Sequence, residues 1–154
     1  MKFLSLVLAL VVASHSYDRT EWIRANDWKK ARRAILVRDS IPNVGWIDPY
    51  TKSKIDNRNK VDIDHIIPLS YASSHCGEAF SEKTKHSFAT DPINLLSVSQ
   101  SANRSKGDKG LSEWQPDYFK CGYIKKWLAV SKKYPLCLSK EDIEIIQHNK
   151  NCKE

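Results

Sequence analysis

Ten residues, Val61-Asp62-Ile63-Asp64-His65-Ile66-Ile67-Pro68-Leu69-Ser70, constrain the fold more than any other stretch of the chain. The run is short, apolar and β-branched, and it reads as a strand over Val61 to His65. Pro68 lacks the amide proton that a ladder needs, so simple continuation of the strand is forbidden. The strand therefore ends on a carboxylate and an imidazole. Asp64 offers oxygen to a hard cation, and His65 takes a proton near neutral pH. Side chains alternate across a strand, so regular geometry sends these two to opposite faces. One site holds both only if the backbone bends there, and Pro68 is close enough to help.

The rest of the chain reads around that strand. Trp22, Ala25, Trp28, Ala31 and Ile35 recur at helical spacing and predict a helix over Thr20 to Arg38. Gly45 to Thr51 reads as a short strand and turn, and Lys52 to Lys60 as a polar, basic loop. Ser70 to Pro92 is polar and irregular, with a short helix near Glu78 to Lys85. Asn94 to Ser99 is a second apolar strand, followed by helix-compatible Gln100 to Lys106 with Gly107 as its stop. Asp117 to Lys133 is a further helix, ended by Tyr134-Pro135. Ser139 caps a last helix with Asp142 as capping-box partner, and Ile143 and Ile146 give that helix a buried stripe. The five tryptophans read as core residues.

Lys2, the apolar run Phe3 to Ala13, and Ser14-His15-Ser16 have the pattern of a secretory signal peptide. The expected division is a leader over 1–16 and one domain over 17–154. The run is too short to span a membrane, and no later segment is apolar enough to do so. The expected mature product is therefore soluble and outside the cytoplasm, extracellular or periplasmic. A monomer is expected, though the sequence does not give the oligomeric state. Without Lys2 the remaining chain has 24 basic and 18 acidic side chains, a net charge of +6. That excess favours polyanions such as nucleic acid or an anionic surface. Four cysteines after a leader imply two disulfides, and sequence alone leaves three pairings open. Cys121 and Cys152 fall at the two ends that meet in an antiparallel helical hairpin. That pairing is preferred, and Cys76–Cys137 follows by remainder.

Cleaving a phosphodiester requires a base for water, neutralisation of charge on the phosphate oxygens, and stabilisation of the leaving oxyanion. A neutral histidine meets the first need, and a divalent cation with open positions meets the others. Oxygen ligands suit Mg²⁺ better than Zn²⁺, with Mn²⁺ as the alternative. Asp64 supplies a carboxylate, and Asn103, in the helix after the second strand, supplies an amide oxygen. Asn94 can bond His65 and set its tautomer. Arg104 and Lys106 are placed to meet phosphates. Asp62 and Glu113 remain as supporting carboxylates. Asn103-Arg104-Ser105 is also a glycosylation sequon, and a glycan there would block a metal ligand.

The run DIDHIIPLSYA, then DPINLL, then SANRSKGDKGLSEWQP resembles the HNH nuclease superfamily. It is most similar to the secreted branch related to the C-terminal domain of GmrSD-type restriction endonucleases, and the upstream GWIDPYT resembles that branch too. The likeness covers Trp46 to Pro116. It implies an α+β fold with a ββα-metal (His-Me finger) core, flanked by an N-terminal helix and a C-terminal helical hairpin. It also implies His65 as general base, Asn94 as the residue orienting it, and Asp64 and Asn103 as metal ligands. Where the family often has a second metal-binding histidine, this chain has Asn103, so water and substrate must complete the shell. The expected activity is hydrolysis of DNA, and of RNA as a further substrate, with little sequence preference and one divalent cation. The alternatives are a non-enzymatic basic protein that binds nucleic acid or an anionic surface, and a partner-binding effector.

Overall fold

The helix expected over Thr20 to Arg38 is two helices in the structure, a computed structural model that describes residues 16–149, 151 and 152. α1 (Arg19–Trp22) stops at Ile23, whose backbone is extended, and α2 (Ala25–Arg38) begins after Arg24. The break has a packing cause. Trp22 is buried in the main core, whereas Ile35 and Leu36 belong to a second, smaller core that Trp28 packs against. The two short helices serve these two cores in different directions. Apart from Ser16, the expected leader lies outside the described residues.

The fold is α+β. β1 (Trp46–Ile47) pairs antiparallel with β2 (Lys54–Ile55), which forms inside the segment expected to be loop. β3 (Val61–His65) pairs antiparallel with β4 (Leu95–Ser99), in the register Val61↔Ser99 to His65↔Leu95. Between β3 and β4 the stretch expected to be largely irregular holds α3 (Leu69–Ser74) and α4 (Glu82–Thr90). α3 is short and buries Leu69, Tyr71 and Ala72, so packing rather than propensity sustains it. α5 (Gln100–Lys106) follows β4 directly; Ser99 caps it, and it stops at Gly107, where φ is +57°. α6 (Lys120–Lys133) and α7 (Lys140–Asn149) form the C-terminal hairpin.

The β3–β4 register separates the two cores. Val61, Ile63 and Leu95 face the smaller core beneath α2. Leu96 and Val98 face the main core. By alternation, Asp62 and Asp64 share the second face, towards α5, and His65 shares the first, towards α2. α2 is tied to the start of β4. Arg38 donates to the carbonyls of Pro92 and Leu95, both at 2.8 Å, and Asp39 accepts from the Ser97 amide at 2.9 Å. Asp48, fully buried, accepts from the amides of Tyr50 and Ser99, and so fixes the β1 turn against the end of β4.

Disulfides join Cys121 to Cys152 and Cys76 to Cys137. The Asp142 amide donates to Ser139 Oγ at 3.1 Å, as the capping pattern requires. The α7 stripe differs from expectation: Ile146 is buried, but Ile143 is 40 % exposed, and Asp142 takes the inward position. Its carboxylate accepts from the Tyr71 hydroxyl and the Ser112 amide. Among the described residues no helix is long and apolar enough to cross a membrane.

Candidate active site

β3 ends at a groove of about 300 Å³ lined by Asp64, His65 and Asn103. The two neighbours on β3 still point to opposite sides of the strand, as alternation demands. They meet in one groove because His65 is the last strand residue and the chain turns away through Ile66 to Pro68. The Ile66 amide donates to the Asn94 carbonyl at 2.8 Å and closes that turn.

His65 is 6 % exposed. Its Nε2 lies 2.8 Å from the Ala89 carbonyl. A carbonyl only accepts, so Nε2 carries the proton and Nδ1 keeps its lone pair. The ring stacks on Trp28, with centroids 5.2 Å apart and planes 18° apart. Burial drives the imidazole down to about 3; the Ala89 bond opposes this, and the charges of Arg19 and Lys106 add to it. At neutral pH the ring is therefore uncharged.

Asp64 is held from two sides. Tyr50 donates its hydroxyl to Oδ2 at 2.7 Å, and Lys106 Nζ donates to Oδ1 at 2.8 Å. Burial pushes the Asp64 carboxyl above its usual range, while Lys106 and then Tyr50 pull it back. Lys106 is fully buried and also donates to the His65 carbonyl at 2.8 Å. Its ammonium is thus spent on the strand end. Lys106 is expected to meet phosphate; in the structure its ammonium is buried at the groove wall and bonded to Asp64 and the His65 carbonyl. Arg104 is exposed on α5 but does not line the groove.

Asn94 also differs from its expected contact. Its side chain accepts from the Ile67 amide at 2.9 Å and donates to the Ile67 carbonyl at 3.3 Å, and does not bond the His65 ring. Ala89 on α4 sets the tautomer instead. Asn94 braces the turn that follows His65, and so acts on the imidazole through the backbone. Asn103 Nδ2 donates to Asp62 Oδ2 at 3.1 Å, across the face that β3 shares with α5. Glu113 bonds the Gly110 amide and does not line the groove.

The donor chemistry suits a hard cation. Asp64, Asn103 and Asp108 line the groove, and each Asp64 oxygen keeps a lone pair beyond its one hydrogen bond. Among the described residues no three His, Cys, Asp or Glu side chains cluster closely enough to hold a metal ion by themselves. A cation here would draw on Asp64, the Asn103 amide, water and substrate.

The sequon has a structural answer. A glycan would have to occupy Asn103 Nδ2, the atom that meets Asp62 within a helix. The natively produced protein should show, by intact mass and peptide mapping, an unmodified Asn103. A glycan on Asn103 in active material would exclude this residue as a cation ligand.

Sequence reasoning missed five contributors. Trp28 carries a helical pattern, but nothing in it marks a ring partner for His65. The Ala89 carbonyl belongs to the backbone and has no residue signal. Tyr50 lies in the GWIDPYT motif, but its bond to Asp64 depends on tertiary structure. Tyr17 and Arg19 line the groove from the N-terminal side, outside the motif region.

The family model of the GmrSD restriction endonuclease C-terminal domain matches residues 19–137, which include every groove residue but Tyr17. A protein of Arthroderma benhamiae, named an uncharacterized secreted protein, is 29 % identical over 132 residues. That match covers 77 % of this chain and 65 % of the relative, so the chain spans just under two thirds of that protein. No solved structure matches the chain.

Proposed function

The chain belongs to the GmrSD restriction endonuclease C-terminal domain family, and we propose that it is a secreted, metal-dependent HNH-type endonuclease. The proposed substrate is DNA, with RNA as a second one, cut with little sequence preference. Secretion is supported by the name of the Arthroderma relative and by two disulfides, which persist in oxidising compartments. The proposed unit is a monomer, and β3, β4 and α5 are its ββα core.

One observation carries the reading. A neutral imidazole, with Nε2–H spent on Ala89 and Nδ1 free, lines a groove beside a carboxylate and an amide oxygen. His65 Nδ1 takes the proton of the water that attacks phosphorus. The bond from phosphorus to the 3′ oxygen breaks, and that oxygen leaves and is protonated from solvent. The products are a 3′-hydroxyl and a 5′-phosphate. Asp64 and Asn103 would hold one Mg²⁺ or Mn²⁺, which when bound supplies charge neutralisation at the phosphate and the leaving oxygen. Lys106 and Tyr50 orient the Asp64 carboxylate and favour its charged form against the effect of burial. Trp28 restricts ring motion, and Asn94 holds the turn that sets the imidazole's height.

The test is the purified mature protein with plasmid DNA and with RNA, in Mg²⁺, in Mn²⁺ and in EDTA. Nicked and linear products with either metal, and none with EDTA, are expected. Retarded but intact nucleic acid under every condition would favour a basic binding protein over an enzyme.

A further inference from the structure

Arg19 enters the groove from the opposite end of the chain to the motif residues. α1 is only one turn long, yet it is firmly seated. Trp22 is fully buried, with its ring in edge contact with Phe88 at 5.6 Å. Glu21 pairs with the largely buried Lys85 at 2.7 Å. Asp18 caps the turn through the Thr20 amide at 2.8 Å. These anchors hold the base of the Arg19 side chain at the wall of the cavity that Asp64, His65 and Asn103 also line.

Two cationic side chains line that cavity, Arg19 and Lys106. Lys106 is buried and bonded to Asp64 and the His65 carbonyl. Arg19 is exposed, and among the described residues no carboxylate pairs with it. Its polar neighbour in the groove is the Tyr17 hydroxyl. A guanidinium presents a planar fork of donors that matches phosphate oxygens two at a time.

We propose that Arg19 is the phosphate clamp of this groove: its guanidinium binds a backbone phosphate of the nucleic-acid substrate and so places the strand against His65. The inference rests on the nuclease reading and adds a positioning residue outside the motif. Tyr17 supports the guanidinium in this role.

The test uses the mature protein with Arg19→Gln and Arg19→Lys, and a fluorescent DNA oligonucleotide. Arg19→Gln should raise KM about ten- to hundredfold, the loss expected for one charge-assisted contact, with a smaller change in kcat. Binding is measured in a His65→Ala background, where turnover does not interfere. There the slope of log affinity against log salt should become shallower by about 0.7–0.9, the value for one lost phosphate contact. Arg19→Lys should recover much of the KM and the slope, because the charge remains. Thermal melting should be the same for all three proteins. An unchanged KM and salt slope in Arg19→Gln would overturn the proposal, and so would equal losses in both variants with a lowered melting point. Failure of the nuclease reading is separate: the parent would then yield no products with either metal. In that event the salt slope still decides whether Arg19 contacts phosphate.

Discussion

His65→Ala should slow cleavage by on the order of 10²–10⁴, the usual contribution of a positioned general base. The geometry explains why no neighbour takes over. Asp64 is engaged by Lys106 and Tyr50, and Asn103 has no basic site at neutral pH. The substitution also leaves the Ala89 carbonyl without its partner and opens space beside Trp28. Some stability is lost as well, on the order of 1–3 kcal/mol for the unsatisfied carbonyl. Circular dichroism and urea unfolding therefore accompany the kinetics, to separate a missing base from a missing fold. A folded His65→Ala protein that still cuts at near-parental rate would remove this residue from the chemistry.

Lys106→Met should destabilise the protein more than any other single change near the groove. The ammonium is buried, and its contacts are the Asp64 carboxylate and the His65 carbonyl. Removing one partner of such a pair typically costs about 3–5 kcal/mol, because the other charge is left buried and uncompensated. The midpoint of urea unfolding should fall accordingly, and cleavage should be lost even where the protein remains folded. The double variant Asp64→Leu with Lys106→Met removes both charges and should regain much of the stability but none of the activity. A Lys106→Met protein that unfolds at the parental urea concentration would show that the pair contributes little to the fold.

Lys106 also shows where sequence reasoning stopped. Basic residues after the second strand point outward in most helices, and a lysine in that position reads as a phosphate contact. Whether a lysine faces solvent or core depends on the rotation of α5 about its axis, which the packing of Ala102 and the register of β4 determine. Asn94 failed as a ring partner for a related reason. Its position at the start of the second strand suits a contact with His65, but the Ile67 backbone takes both ends of the amide. The long helix expected near the N-terminus broke in two because two cores compete for its apolar face, and periodicity does not count cores. α3 was missed because its six residues are held by burial, not by intrinsic helix preference.

What the sequence by itself determined is local: a five-residue strand ended by Pro68, a second apolar strand followed by a helix with a glycine stop, and a capped last helix. Alternation and capping act over a few residues, so they are legible without a partner. Tertiary structure alone decided which groups meet His65 and Asp64. The Ala89 carbonyl lies 24 residues from His65, and the Lys106 ammonium lies 42 from Asp64. Contacts at such separations depend on strand register and helix rotation, and the whole core sets these at once.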